Sequence, residues 1–483
     1  MRNGIRVDLL FEGLDVEIHG DKNRKVTGLS AHSKRVAPGD LFIAKKGGTF
    51  DATEWTSDAG ASGAVAVLTD RYDPALEGPI QIIHSNPTSI EPEIASRFFQ
   101  SPSEELFLMG ITGSKGKTTT AHVIAHVLEP CGLMGTVEIR MDQKRILSHL
   151  TTNDIVTNQK YLREMRSRNI KHAVMEVSSH ALDQNRVHGL DFDVGIFTNF
   201  SRDHLDYHAT MECYLAAKAK MFDLIDQEGK IALLNADDLA SQRVFGRCRA
   251  QAFTFGIAKK ADYCARNLRF SLEGTRFTLT FQGRDIEIET KLIGTFNVLN
   301  VLGALAACHQ RGASFEQMQR KMTTFSGVPG RLESVPNGKG IYLFIDFAHI
   351  PRALEAVLSS LHALKMGRII TIFGCGGNRD TGKRPEMGSV VERFSDEVIV
   401  TSDNPREEEP SEICRQVAEG MTKKKAWIEV DRYRAIAKGI ALSRKGDVVL
   451  IAGKGHEMVQ SIQGRSIPFD DWKIAYEICN HSS

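Results

Sequence analysis

Eight cysteines are spread over 483 residues, and no two of them form a CxxC pair. That spacing excludes the common zinc motifs and gives no disulfide framework; it points to reduced thiols in a cytosol. An excess of one charge is also missing. Lys and Arg number 61 against 60 Asp and Glu, a net charge of +1, which gives no reason to expect a surface for nucleic acid or a membrane. No run approaches the ~20 apolar residues that span a bilayer. The start, MRNGIRVDLLFEGL, lacks the apolar core of a secretion signal. Internal repeats and low-complexity segments are absent too. These absences set the expectation of a cytoplasmic protein without nucleic-acid or membrane partners; a monomer is expected as well, though nothing in the sequence gives the oligomeric state.

What is present is an ordinary globular composition, 42% hydrophobic and 25% charged, in a length that suits roughly two to four domains. Residues 1–102 alternate short apolar runs with turns, as in GAVAVLTD and IQIIHSN, and predict a small α/β unit. FFQSPSEEL reads as a linker, with Pro102 as the breaker. Within 103–332, the apolar runs LFLMGITG, HAVMEVSSH and DVGIFTNFSRDH alternate with helical spacing and each ends in polar residues. That pattern predicts a mostly parallel, doubly wound sheet whose ligands bind at the strands' carboxyl ends. Period-two patterning over 266–293 predicts an antiparallel element attached to it. Residues 333–483 repeat the α/β pattern in GIYLFIDFAH, GRIITIFGCGG, DEVIVTSDNP and GDVVLIAGKGHE. The predicted fold is α/β in three domains, with a central P-loop-type sheet and a Rossmann-like C-terminal domain.

One more thing is missing. The common phosphate-loop pattern leaves four residues between its first glycine and Gly-Lys, a place filled here by Ile111. In GITGSKGKTTT only two residues separate Gly113 from Gly116. The physics survives the change, because an anion needs backbone N–H groups, a helix N-terminus and a lysine, and Mg²⁺ needs a hydroxyl. Lys117 can reach the β- and γ-phosphates, and Thr118 can offer the hydroxyl. The competing reading is a glycine turn before a helix capped by chance threonines.

The short loop resembles that of the Mur ligase family, usually TGTNGKTTT, with Ser114 and Lys115 where Thr and Asn are usual. TTNDIV, MEVSSHALDQNRV, TNFSRDHLDYH, YLAAKAKMF, GTFNVLN, GVPGRLE, DFAHIP, GGNRDTGKRPEMG, TSDNPREEEP and IAGKGHE follow in the order of that family. The resemblance covers nearly the whole chain. It implies a ligase that uses ATP and Mg²⁺ to extend a UDP-muramoyl peptide by one amino acid, in peptidoglycan precursor synthesis. Its members that add L-lysine are one alternative, and folylpolyglutamate synthetase, which shares fold and loop, is a remoter one.

The resemblance also assigns residues. Gly113, Ser114, Lys115, Gly116, Lys117, Thr118 and Thr119 would line ATP, with Asn297, Asn300, Arg331, Asp346 and His349. Lys117, Glu176, His204 and Lys218 would carry catalysis. Thr118, Glu176, His204 and Lys218, the last as a carbamate, would hold Mg²⁺. By sequence alone Lys218 and Lys220 read as two solvated lysines, which cannot share a helix face. Ser33, Thr151, Thr152, Ser178, Gln184 and Arg186 would touch the UDP-muramoyl-dipeptide, with His32 standing where Asp usually precedes the serine. DFAHIPRAL departs from the usual DYAHTPDAL at Phe347, Ile350 and Arg352. In SDNPREEEP, an Asx-type turn accounts for Asp403, Asn404 and Pro405 but does not require Arg406. The family reading does: DNPR goes with meso-diaminopimelate, whose second carboxylate a guanidinium can pair bidentately. Arg379, Gly453 and Glu457 complete that set.

Overall fold

The computed structural model describes residues 4–45, 52–246, 248–423 and 426–480. The chain folds as two compact units: residues up to Lys117 with Ile124–Thr254, and Thr118–Val123 with Phe255 onward.

The first unit holds two sheets. The smaller comprises β1 (Glu17–His19), β2 (Gly28–Ser30), β3 (Asp40–Ile43), β4 (Ala66–Thr69) and β5 (Ile80–Ile83), in the order β1-β5-β4-β3-β2. Only β1 runs antiparallel to its neighbour. Helix α1 (Pro87–Phe99) starts on a proline, which the first turn tolerates. It ends at Gln100, in left-handed conformation at φ 60°, so the helix stops before Pro102. Next come β6 (Phe107–Thr112), α2 (Lys117–Val127), β7 (Cys131–Met134), β8 (Glu138–Met141), β9 (Lys144–Leu147) and α3 (Ile155–Ser167). They are followed by β10 (His172–Glu176), α4 (Ser179–Asp183), β11 (Val194–Phe197), α5 (Met211–Asp223) and β12 (Ile231–Asn235). The larger sheet runs β9-β8-β7-β10-β6-β11-β12, parallel from β7 to β12. One apolar core joins the two sheets: Ile94, Phe98 and Phe99 of α1 pack in the same cluster as Leu162 and Met165 of α3 and Leu108 of β6.

In the second unit the predicted antiparallel element is present as β13 (Tyr263–Ser271), β14 (Gly274–Phe281) and β15 (Arg284–Thr290). Helix α6 (Thr295–Gln310) follows. The C-terminal elements are β16 (Glu333–Ser334), β17 (Tyr342–Asp346), α7 (Pro351–Leu364), β18 (Ile369–Phe373), α8 (Lys383–Phe394), β19 (Glu397–Val400) and β20 (Trp427–Ile428). After these come α9 (Arg432–Leu442), β21 (Val448–Ala452), the hairpin β22 (Val459–Ile462) and β23 (Arg465–Pro468), and α10 (Asp471–Asn480). The sheet order is β16-β17-β21-β18-β19-β20, parallel from β17 to β20. Alternate residues of each strand point to opposite faces. Phe344, Phe373, Val400 and Leu450 enter one core, while Leu343, Ile345, Ile372, Ile399, Val449 and Ile451 enter another. Burial on both faces is why these strands read as continuous apolar runs. Among the described residues no helix is long and apolar enough to cross a membrane.

Candidate active site

The phosphate-type loop lies in the first unit, between β6 and α2. Gly113 has φ 145°, and a Cβ there would sit 1.9 Å from Thr198 Oγ1. No other residue fits, so the glycine is explained by close approach of the 198–201 segment. That segment braces the loop. Ser114 N–H donates to Asn199 O at 2.8 Å, Lys115 N–H to Asn199 Oδ1 at 2.9 Å, and Thr198 Oγ1 to Lys115 O at 2.6 Å. The Ser114 hydroxyl lies 3.1 Å from that of Tyr214 and takes a bond from Ser201 N–H at 2.9 Å. Ser114 is thus a structural tie, the role a hydroxyl fills here in place of the usual threonine. Lys115 also has an account: its ammonium lies 3.0 Å from Asp203. Burial works against ionising Asp203, yet the charge and hydrogen bond of Lys115 outweigh it and hold the carboxyl below its usual range. Lys117 folds onto the loop, donating to Gly113 O at 2.9 Å. Its reach to a phosphate therefore requires exchanging a carbonyl for a phosphate oxygen.

Glu176 ends β10, as its place after an apolar strand predicts, and is fully buried. Thr136 donates to it twice, from N–H at 2.8 Å and from the hydroxyl at 3.1 Å. Lys218 and Lys220 face differently, as helical spacing requires. Lys220 is exposed and pairs with Asp183 at 2.9 Å. Lys218 is 1% exposed, and its ammonium sits over the Tyr214 ring, 4.4 Å from the centre. Burial, and then the charge of Lys117, push its pKa well below the ordinary lysine value. His204, at φ 51°, packs edge-on to His180 with ring centres 4.9 Å apart. Burial lowers its pKa against the pull of Asp203.

Of the residues expected to touch the UDP-muramoyl-dipeptide, Thr151, Thr152, Ser178, Gln184 and Arg186 are joined by hydrogen bonds, while Ser33 stands apart from them. Thr152 Oγ1 donates to Glu176 O at 2.8 Å and receives Ser178 N–H at 3.0 Å. Ser178 caps α4 through Ala181 N–H, so the capping role that any isolated serine could have is real here. Thr136 links Thr151 to Glu176. Arg186 donates to Thr152 O at 3.1 Å and to Gln184 Oε1 at 2.9 Å. Ser33 starts a short 3₁₀ turn, capped by the His32 ring, which accepts from Lys34 N–H at 3.3 Å. Histidine thus does what an aspartate would do at that position.

In the second unit, Asn297 and Asn300 share the buried face of α6 and bond to each other at 3.1 Å. Asn297 also donates to Ile293 O at 2.9 Å. Thr120, on the first turns of α2 after Thr118 and Thr119, donates to Asn300 O at 3.3 Å. Asp346 closes β17 and receives Leu332 N–H at 2.7 Å and Ala348 N–H at 2.8 Å. Burial raises its pKa, with Arg331 opposing. The Arg331 guanidinium stacks on Phe347, 5.0 Å from the ring centre, and its Nε is buried without a partner. His349 is held by Phe347 O at 2.8 Å. Phe347 therefore supplies a stacking face, which a phenyl ring provides as well as the usual phenol.

The loops after β18, β19 and β21 meet around Asn404. Arg432 and Asp471, both fully buried, pair at 2.8 and 2.7 Å. Arg432 also donates to Ser402 O and Ala452 O, fastening the ends of β19 and β21. Gly453 has φ 116°, and a Cβ there would lie 2.2 Å from Asp403 Oδ2. That oxygen is buried and accepts no hydrogen bond. Asn404 donates to Glu457 at 2.7 Å, and Gly377 N–H donates to Asn404 O at 2.9 Å. Arg406 stands at φ 54°, held by its N–H to Ser461 O at 3.0 Å and by Gln463 N–H to its own carbonyl at 2.6 Å. Its Nη1 donates to Gly377 O at 2.6 Å. Arg379, two residues beyond Gly377, is exposed. Lys454, Tyr214 and Thr136 brace these sites and were not singled out from the sequence. Lys454 sits inside a quoted motif, yet nothing local separates a buried lysine from a solvated one.

Residues 111–308 match the family described as Mur ligase middle domain, and residues 330–455 the one described as Mur ligase, glutamate ligase domain. A relative from Chlamydia caviae is 40% identical over 477 residues, 97% of this chain and 98% of its own. One from Aquifex aeolicus is 41% identical over 94% of each. The chain belongs to the Mur ligase family. Both relatives are named UDP-N-acetylmuramoyl-L-alanyl-D-glutamate–2,6-diaminopimelate ligase. A solved structure with that name superposes with a TM-score of 0.71 at 29% identity, covering 99% of each chain. This Mur ligase therefore has the three-domain α/β fold that the sequence predicts.

Magnesium suits Mur ligase chemistry, and the donors can be tested for it. Mg²⁺ is held by one or two carboxylates, with waters and substrate phosphates completing the shell. Among the described residues no three His, Cys, Asp or Glu side chains form a metal-holding group. Glu176 offers a buried carboxylate held in place by Thr136. Lys218 does not fit as an ammonium, because a second cation beside it would be repelled; it fits as an anion.

Proposed function

We propose that this Mur ligase joins meso-diaminopimelate to UDP-N-acetylmuramoyl-L-alanyl-D-glutamate in an ATP-dependent amide-forming step of peptidoglycan precursor synthesis. It acts as a cytoplasmic monomer, with domains at 1–102 for the UDP-muramoyl substrate, 103–332 for ATP and 333–483 for the amino acid. The observation that carries the amino-acid assignment is Arg406. A non-glycine residue at positive φ costs roughly 1–3 kcal/mol, and here two backbone bonds to β22 and its turn hold it there. The consequence is a guanidinium at the loops after β18 and β19 in which, among the described residues, Nη1 alone is engaged, on Gly377 O. The remaining N–H groups suit a second carboxylate. L-Lysine ends in an ammonium that the same group would repel, which disfavours the lysine-adding alternative. The two relatives that match over most of this chain carry the diaminopimelate name, which disfavours folylpolyglutamate synthesis.

In this reading the γ-phosphoryl group of ATP passes to the D-glutamate side-chain carboxylate. The amine of diaminopimelate then attacks the acyl phosphate, and phosphate leaves. Lys117 leaves Gly113 O for the transferring phosphoryl oxygens, and the loop N–H groups add preorganised dipoles. Asn297, Asn300, Arg331, Asp346 and His349 seat the nucleotide. Thr152, Ser178, Gln184 and Arg186, with Thr151 and Ser33, orient the muramoyl peptide. Thr118, Glu176, His204 and a carbamylated Lys218 would hold Mg²⁺, which would supply positive charge against the phosphoryl oxygens. Carbamylation consumes a neutral amine and CO₂ and releases a proton, and the depressed pKa of Lys218 supplies that neutral amine. Release of ADP with the muramoyl-dipeptide and a panel of amino acids tests the reading. Turnover with L-lysine in preference to diaminopimelate would overturn it.

A further inference from the structure

Lys454 is fully buried, and its ammonium meets three acceptors. These are Val459 O at 2.6 Å, Glu457 Oε2 at 3.1 Å and Asn404 Oδ1 at 3.3 Å. A buried charge must be paired and hydrogen-bonded, and here each N–H has an acceptor. The consequence falls on its neighbours. Asn404 Oδ1 takes both Lys454 and Ser461 N–H, the latter at 2.9 Å. That fixes which way the amide faces and turns Nδ2 to Glu457 Oε2 at 2.7 Å. Glu457 Oε2 is therefore filled twice, by Asn404 and by Lys454. Oε1 is left, on a side chain 34% exposed. An oxygen left free by a carboxylate held on its other side is an acceptor with a set direction. Asp403 Oδ2, buried and without a partner beside Gly453, is a second acceptor in the same loops.

We infer that Lys454 is a positioning residue of the amino-acid site: its buried ammonium locks Asn404 and Glu457 so that one oxygen of Glu457 is left to receive the ammonium of the incoming amino acid. This rests on the ligase reading above. Lys454 does not touch the amino acid. It sets the direction of a group that does, so its loss weakens amino-acid binding and leaves the nucleotide alone.

The test is steady-state kinetics on the full chain, comparing parent, Lys454→Met, Glu457→Gln and the double variant. Lys454→Met raises the KM for diaminopimelate by about 10- to 100-fold, the range for removing a group that orients a binding side chain. The KM for ATP stays within about twofold. The double variant is no worse than the worse single one, because both remove the same oriented oxygen. Lys454→Gln, which keeps a donor for Val459 O, replaces Lys454→Met if the latter does not fold. An unchanged diaminopimelate KM, an equal rise in the ATP KM, or multiplying effects in the double variant each overturn the inference. A parent that releases no ADP with any amino acid overturns the ligase reading and this inference with it.

Discussion

Lys218 lays its ammonium on the face of Tyr214, 4.4 Å from the ring centre, on a residue only 1% exposed. A cation over a ring is attracted by the π-face, but that does not replace lost water. Burial, then the charge of Lys117, shifts the group toward the neutral amine, the form that CO₂ attacks. Lys218→Ala should therefore lose most ADP-forming activity. Short carboxylic acids should restore part of it by standing in for the carbamate. Lys218→Arg should stay as poor as the alanine variant. Parent-like turnover in Lys218→Arg would remove the anion from this site.

Lys117 contributes to the loop through carbonyls of Gly113 and Ser114, at 2.9 and 3.4 Å. Neither bond packs a core. Lys117→Ala should leave the melting temperature near that of the parent and abolish ADP formation. Folded protein with near-normal turnover would contradict the role given to the loop.

Much of this was legible in the sequence, for a physical reason. Burial on both faces makes strands such as β17 and β21 continuous apolar runs, and chemistry at their carboxyl ends leaves polar residues there. Glu176 and Asp346 could be placed on that basis. What stayed hidden depends on contacts between distant segments. Lys115 has a role only because Asp203 lies 3.0 Å away, and residues 115 and 203 share no local pattern. Lys218 and Lys220 look alike until the helix is docked. Ser178 and Asn297 show the reverse case: each has an ordinary structural bond as well as its candidate role.

The Lys115–Asp203 pair has side chains 50% and 22% exposed. Exposed pairs are worth about 0–1 kcal/mol and are screened by salt. Lys115→Asn should lower stability by less than about 1 kcal/mol, and the difference should vanish near 1 M salt, where the Debye length is about 3 Å. Thermal melts at low and high salt decide this; a large deficit that persists at high salt would mean Lys115 does more than pair.

His456 lies in the loop after β21, with its ring 5.2 Å from Phe347 and Nδ1 buried without a partner. Burial, then the charges of Arg331 and Lys454, lower its pKa from 6.5 to about 4. Between those values the unfolded chain binds the proton and the folded one does not. The stability tied to the neutral ring is fully present above pH 6.5 and is lost as pH falls through about 4. His456→Gln cannot be protonated. Its melting temperature should fall less than the parent's between neutral pH and pH about 4, by the equivalent of about 1–3 kcal/mol. Parallel acid profiles would show that another group controls the loss.

On the proposed reading, Arg406 decides the amino acid. Its backbone is pinned to Ser461 and Gln463, and its Nη1 is tied to Gly377 O, so the side chain has little freedom to reach anything else. The parent should use meso-diaminopimelate and reject L-lysine. Removing one side of a desolvated charge pair costs roughly 2–5 kcal/mol, on the order of 30- to several-thousand-fold in kcat/KM. Arg406 is half-buried, which places the loss near the lower end. Most of it should appear as a raised KM for diaminopimelate, because the distal carboxylate is bound before the reacting amine attacks. The KM for ATP should hardly change. Discrimination against L-lysine should shrink, since the repulsion leaves with the attraction. Lysine need not become a good substrate, because nothing acidic takes the place of Arg406. The measurement is kcat/KM for both amino acids with parent and Arg406→Ala; an unchanged diaminopimelate-to-lysine ratio would sink the assignment.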